Sequence, residues 1–287
     1  MTFVFLVSFV AKTSSCSSWP RAAALALVAA LAAGGSAALG QAPVVNARVE
    51  RRSVAQGLAR EVAAVIDRGT PAWIGYRVPI FRRADLRMSS ADTCCGRCRL
   101  EPPTELAVLA RVESRTIVEL RPVAVDCDID GNGMPLVWFE NVSPDESVAW
   151  LSSLAEGASA SSRRVADAAV VAIAQHAGPA AAPALVRFAR EAATPRARGQ
   201  ALFWLAQRAA DQALPAIDTA LAQDPDTEVK KQAVFALSRF PRGEGIPRLM
   251  EVARSHASVE VRRQAMFWLG QSKDPRAIDF FAGILLE

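Results

Sequence analysis

From residue 161 to residue 287, apolar residues fall at three- and four-residue spacings inside blocks that return every 32 residues. Gln200-Ala201-Leu202-Phe203-Trp204-Leu205 returns as Gln232-Ala233-Val234-Phe235-Ala236-Leu237 and again as Gln264-Ala265-Met266-Phe267-Trp268-Leu269. One period earlier, Ala168-Ala169-Val170-Val171-Ala172-Ile173 is a degenerate copy. Two further ladders share the period: Pro183, Pro215 and Pro247 with Asp279 in the fourth place, and Leu185, Ile217, Leu249 and Phe281. Such a period is the signature of a solenoid, whose units bury their apolar faces only by stacking on one another. Each unit reads as two helices. In the third, Val229, Ala233, Ala236, Leu237 and Phe240 form one stripe behind an acidic, cap-forming Asp226-Thr227-Glu228 start, and Pro241 and Gly243 end it. The second helix opens near Glu244 with Pro247 in its first turn, where a missing N–H costs least. It turns Ile246, Leu249, Met250 and Ala253 inward. In the fourth unit Asp274 is an N-cap and Pro275 the first helical residue. The predicted fold is mainly α: a C-terminal α-solenoid of four 32-residue helical hairpins over 161–287.

Upstream the texture differs. Val54, Leu58, Val62, Val65 and Ile66 predict a helix over Val49–Asp67, stopped by Gly69-Thr70-Pro71. Trp73–Ile80 is strand-like, and 82–103 is an irregular, cysteine-containing loop. Glu105–Val112 and Thr116–Val125 are β-branched runs about a polar Glu113-Ser114-Arg115 turn, which predicts a hairpin. Leu136–Phe139 adds a strand, and Pro144–Leu154 a helix whose Ser143 and Glu146 form a capping box. Together these predict a small α+β module over 42–157, joined to the repeats through the small, polar stretch Glu156–Ser162.

The first forty residues read as an export signal. Lys12 and Arg21 flank the apolar run Ala22–Ala33, and Ala38-Leu39-Gly40 supplies small side chains for cleavage. The expected location is therefore periplasmic or extracellular, without stable membrane insertion after cleavage. The alternative is an anchor formed by an uncleaved N-terminal segment, because a second apolar patch, Phe3–Val10, lengthens the leader. Without Lys12 and Arg21 the formal charge falls from +4 to +2. With no run of Lys and Arg longer than two, nucleic acid is not an expected partner.

An oxidising compartment changes the reading of the cysteines. Cys16 lies in the leader, and Cys94, Cys95, Cys98 and Cys127 remain, an even number that makes two disulfides the preferred reading. Adjacent cysteines rarely bond to each other, so one of Cys94 and Cys95 is expected to pair with Cys127. A zinc site with Cys127 as fourth ligand and a C-x-x-C redox site are the competing readings. Asp126, Asp128, Asp130, Gly131 and Asn132 resemble the first half of a calcium loop, but Val137 stands where a bidentate carboxylate is needed, and a polar turn is the better reading. His176 and His256 are expected in solvated inter-helix loops. No residue is assigned a catalytic role, and neither a cofactor nor a metal is implied.

Val229-Lys230 followed by Ala233 and Leu237-Ser238 resembles HEAT repeats of the short type also found in phycobilisome lyases. So does Val261-Arg262 followed by Ala265 and Leu269-Gly270-Gln271-Ser272-Lys273-Asp274-Pro275. The resemblance covers 161–287. It departs from the family pattern at Ala166, where Arg198, Lys230 and Arg262 stand in later units, and at Trp204 and Trp268, where alanine is usual. It implies a scaffold with a protein partner, or, by analogy with the lyases, a cofactor-handling enzyme; a metal-binding module at the cysteines is a third reading. Phe203, Phe235 and Phe267 form a ladder, and Phe235 lies about 210° from the centre of its helix's apolar stripe. Two roles are open for the ladder, packing between repeats and a strip that receives a partner or the N-terminal module. Phe203, Trp204, Phe235, Phe267 and Trp268 are thus the candidate protein-binding residues. Phe280, Phe281, Ile284, Leu285 and Leu286 make the last helix a candidate homo-oligomer contact.

Overall fold

The computed structural model describes residues 44–81, 104–125, 129–156 and 163–286. The expected signal segment, Cys94, Cys95, Cys98, Cys127, Asp126, Asp128 and the stretch 157–162 lie outside the described residues.

The first described elements are strands. β1 (Val44–Val45) pairs in parallel with β6 (Ile129–Asp130). A five-stranded sheet contains β2 (Arg48–Ser53), β3 (Ala72–Pro79), β4 (Glu105–Glu113), β5 (Thr116–Ala124) and β7 (Pro135–Glu140), in the order β2-β7-β3-β4-β5. The expected hairpin is β4–β5, with Ser114 and Arg115 both at positive φ in its turn. The helix expected from Val49 begins only at α1 (Leu58–Asp67). Arg48–Ser53 instead extends along β7 as an edge strand, and Gly57, at φ 88°, separates the two. The helical spacing is real from Leu58 onward. Before it stands Arg-Val-Glu-Arg-Arg-Ser, whose state is decided by the free edge of β7, and whose charges suit an edge that must not recruit another strand.

The sheet is buried on both faces. Ile74, Tyr76, Val78, Val108, Ala110, Val137 and Phe139 alternate onto one, where they meet Leu58, Val62 and Val65 of α1 and Val148 and Leu151 of α2 (Pro144–Glu156). Trp73, Leu109, Leu136 and Trp138 occupy the other with Val44 and Ile129. Gly75 is required where Trp138 crosses it: an added Cβ would lie 2.8 Å from both that ring and Leu109. At α2 the capping box forms as expected, with Glu146 N donating to Ser143 Oγ at 3.2 Å and Ser143 N to Glu146 Oε2 at 3.4 Å.

Eight helices follow: α3 (Arg163–Gln175), α4 (Ala181–Glu191), α5 (Pro195–Arg208), α6 (Ala210–Gln223), α7 (Thr227–Ser238), α8 (Ile246–Ser255), α9 (Val259–Gln271) and α10 (Pro275–Leu286). They run as four consecutive pairs. Thr194, Asp226, Ser258 and Asp274 cap the helices that follow them, each side chain accepting a first-turn N–H. α3, α5, α7 and α9 lie side by side in a row. Arg198 of α5 reaches Asp224 at the end of its own partner helix α6 with two bonds of 2.7 and 3.0 Å, and donates to Ala192 O at the end of α4 in the preceding pair. Both partners are largely buried, and the guanidinium holds the Asp224 carboxyl below its usual range against the opposing pull of burial. One apolar core runs without a break from the sheet through α3 to Phe280 of α10.

Candidate functional site

Two places concentrate side chains that packing alone does not explain. The first is where β3, α2 and α3 meet. The sheet is hydrogen-bonded to the α3–α4 turn: Ile80 bridges His176, Phe81 N donates to Gln175 O at 2.7 Å, and Ala177 N to Pro79 O at 2.8 Å. Beside these bonds runs a buried polar chain. Tyr76 OH lies 2.7 Å from Ser147 Oγ, Ser147 Oγ 2.7 Å from His176 Nε2, and His176 Nδ1 2.6 Å from Ala172 O. A carbonyl only accepts, so Nδ1 carries the imidazole proton and Nε2 is the acceptor. Ser147 therefore donates to His176 and accepts from Tyr76. Every polar atom of the chain is satisfied in its neutral form.

Burial pushes the His176 imidazole down from 6.5 to about 4, against the raising effect of the Ala172 bond, and Arg208 lowers it further. Burial likewise raises the Tyr76 hydroxyl, which Ser147 partly offsets. Arg208 stacks 4.2 Å from the centre of the Phe81 ring and donates to Ala174 O and Gly178 O, and burial lowers its own pKa to about 10. The expectation of a solvated His176 is thus corrected: the strand end packed against the α3–α4 turn removes it from water entirely. His256 keeps its expected inter-helix loop position, between α8 and α9, and is half-buried. Its Nε2 donates to Leu221 O at 3.1 Å and its Nδ1 accepts from Ser258 N, so it ties the end of α6 to the start of α9. The Ser–His pair at 147 and 176 is of a type used for nucleophilic attack; here all three side chains of its chain are fully buried at the joint between the sheet and the helices.

The second place is the row of first helices. Here the rings of Phe203, Trp204, Phe235, Phe267 and Trp268 form one unbroken ribbon. Phe203 meets Trp204 edge-on at 5.1 Å and stacks on Phe235 at 5.5 Å with planes 3° apart. Phe235 tilts onto Trp268 at 4.8 Å, and Trp268 meets Phe267 edge-on at 5.0 Å. The contacts bind α5 to α7 and α7 to α9, with offset and edge geometries that ring quadrupoles favour. Four of the five rings are half-buried and Phe267 is 52 % exposed. Of the two roles left open for the ladder, packing between neighbouring helices is seen, and the rings are also left partly in water. Trp268 Nε1 is buried without a hydrogen-bond partner among the described residues, so packing holds this ring. The ribbon stops at the first pair, where Val171 occupies the register of the three phenylalanines. In the next register, Ala172, Trp204, Ala236 and Trp268 alternate small and large.

Other candidates are quickly placed. Asp130 Oδ1 accepts from Asn46 Nδ2 and from Asn132 N, and Asn132 and Gly133 both take positive φ, so this part of the acidic segment is a polar turn. No group of His, Cys, Asp and Glu suited to a metal occurs among the described residues. No helix among them is long and apolar enough to cross a membrane. A cleft of about 470 Å³ between α8 and α10 is edged by Glu251, Arg254 and Arg276, and one of about 600 Å³ between α2 and α4 by Asp145, Glu156 and Arg187, each on otherwise small or apolar linings.

Residues 214–287 match the family model of HEAT repeats. The C-terminal part of the chain is therefore a HEAT-like repeat segment, beginning within α6 and including α7 to α10. No curated protein and no solved structure matches the chain. HEAT repeats generally mediate protein interactions, which is compatible with a scaffold.

Proposed function

We propose that this chain is an exported, non-catalytic scaffold or adaptor. In this reading, α3 to α10 form a four-repeat HEAT-like solenoid, and the aromatic ribbon of its first helices receives a protein partner in the periplasm or outside the cell. The carrying observation is the ribbon itself: five rings in continuous contact across three helices, left partly in water. A stack built only for stability has no need to string its largest rings along a solvent face. Aromatic rings, by contrast, are enriched where protein partners bind.

The test is a photo-crosslinking residue at position 263, exposed one helical turn before Phe267, in the intact protein in its own cell. It should trap a discrete partner, and Phe203→Ala or Phe267→Ser should abolish the adduct without unfolding the chain. An adduct that survives both substitutions would move the binding surface elsewhere. Export is tested separately by mass spectrometry of the mature chain. It should begin near Gln41, with Cys127 linked to Cys94, Cys95 or Cys98.

A further inference from the structure

The rings of α7 and α9 are flanked by polar side chains that the fold does not use. Gly199 leaves room for Gln232, whose Cγ would lie 2.9 Å from an added Cβ, and Phe203 stacks on Phe235. Equivalent positions therefore line up along the row, and neighbouring first helices run in the same direction. Gln232 and Gln264 stand one turn before Phe235 and Phe267, with Arg263 beside Gln264. Arg239 stands one turn after Phe235, on the other side of the ribbon. Gln232, Arg239 and Arg263 are exposed, and Gln264 is half-buried. Among the described residues none of these four side chains has a hydrogen bond or ion pair. The acids of the same face are already engaged: Asp167 by Arg196 at 2.8 Å and Glu228 by Lys231 at 2.7 Å. Glu260, which adds to the field on Lys231, is the one acid left against Arg164, Arg239 and Arg263, so the uncommitted charge of this face is positive.

Free amides beside rings suit a main chain. A glutamine amide donates through its nitrogen and accepts through its oxygen, and an extended peptide needs both. Packed helices lie about 8–10 Å apart, and an extended chain rises about 3.3 Å per residue, so about three residues span one step of the row. Side chains of an extended chain alternate, so residues three apart point to opposite sides. Arg263 and Arg239 are one step apart and on opposite sides of the rings. We propose that α7 and α9 bind an acidic, extended peptide segment of the partner. Its main chain lies on Gln232 and Gln264, its apolar side chains on Phe235, Phe267 and Trp268, and two carboxylates three residues apart on Arg263 and Arg239. The inference rests on the reading of the ribbon as a partner surface and names the chemistry of that partner. The uncommitted positive charge is what selects an acidic segment over a neutral or basic one.

A library of random octapeptides displayed on phage, selected on the intact protein and depleted on Phe267→Ser, tests this. Enriched peptides should carry Asp or Glu at positions three apart, with Phe, Trp, Ile or Val between them. Arg239→Glu and Arg263→Glu should each raise the Kd of such a peptide by about 5-fold, a partial loss that also lets a crosslinker replace Arg263 without abolishing capture. The double variant should instead select Lys and Arg at the same spacing. Both sites are exposed and unpaired, so thermal midpoints should match the parent's. N-methylation between the two acids of the peptide should weaken binding to the parent more than to Gln232→Leu. Neutral or basic enriched peptides, no enrichment, or a double variant with unchanged choice would overturn the inference. So would sedimentation of the protein with vesicles of phosphatidylglycerol and phosphatidylcholine that is lost in Phe267→Ser, since it assigns the face to a lipid surface. A partner trapped through the ribbon while no acidic peptide is enriched refutes this inference alone; an adduct indifferent to the ribbon refutes the reading beneath it.

Discussion

Aromatic side chains serve this protein in two contrasting settings. At the joint between sheet and helices, Tyr76 is fully buried, packed edge-on against Trp150 at 5.8 Å, with its hydroxyl committed to Ser147. Along the first helices, five rings hold one another in contact and remain partly wet. At the joint a polar chain fixes one geometry, because each buried donor needs its particular acceptor. The ribbon relies on dispersion and ring quadrupoles, which tolerate small displacements. The difference teaches that large side chains in one helical array can be assigned to stability or to surface only after their polar atoms have been traced.

Substitution sharpens the contrast, and the largest effect is expected at Ser147. Ser147→Ala strands the Tyr76 hydroxyl and His176 Nε2 together, so a loss of roughly 2–4 kcal/mol is expected in chemical denaturation. Tyr76→Phe leaves the Ser147–His176 bond in place and should cost clearly less. Equal costs for the two would show that the chain is not coupled.

Acid probes the same joint. Folded His176 titrates at about 4 and the unfolded residue near 6.5, so between these values the unfolded chain binds more protons. Stability is therefore expected to hold above about pH 7 and to fall as pH drops from about 6.5 towards 4. The loss from this group is on the order of 3 kcal/mol. Denaturation midpoints measured at intervals across that window check it; a flat profile would show that His176 is protonated, or reached by water, in the folded state.

The ribbon should respond more weakly and in graded fashion. Phe235→Ala, which removes the ring between Phe203 and Trp268, is expected to cost about 1–3 kcal/mol, less than a full core phenylalanine. Phe267→Ala, at the wet end, should cost under about 1 kcal/mol. Thermal denaturation of the two variants side by side tests the gradient, and a reversed order would break the contrast between a structural middle and a presented end.

The helical region was legible because its period repeats. Ladders of Phe, Pro and Leu at one spacing specify helix pairs whatever surrounds them, and their N-caps can be named from Asp226 and Asp274. The ribbon's members were legible too, but not their order of contact. That Phe235 lies against Trp268 of the next pair, and Phe203 stacks flat on Phe235, depends on the offset between neighbouring helices, which no single helix encodes. Arg48–Ser53 was misread because β7, more than eighty residues away, decides its state. His176 was misread because its burial comes from the end of β3. One signal did exist: Tyr76, the only tyrosine in the chain, carries a hydroxyl into an apolar strand, and Ser147 sits on the same side of α2 as Leu151. Both hydroxyls required partners.

The alternation of Ala172, Trp204, Ala236 and Trp268 gives the array a parity. Adjacent pairs are not interchangeable, although each is 32 residues long, because the indole of Trp204 stands between the methyl groups of Ala172 and Ala236, and Ala236 between two indoles. Excising one pair, residues 227–258, would preserve helical phase yet set Trp204 directly beside Trp268, two indoles in a place shaped for one. Excising 64 residues would keep the alternation. The natural unit for lengthening or shortening this array is therefore four helices, and insertions or losses in its lineage are expected to come in even numbers of pairs.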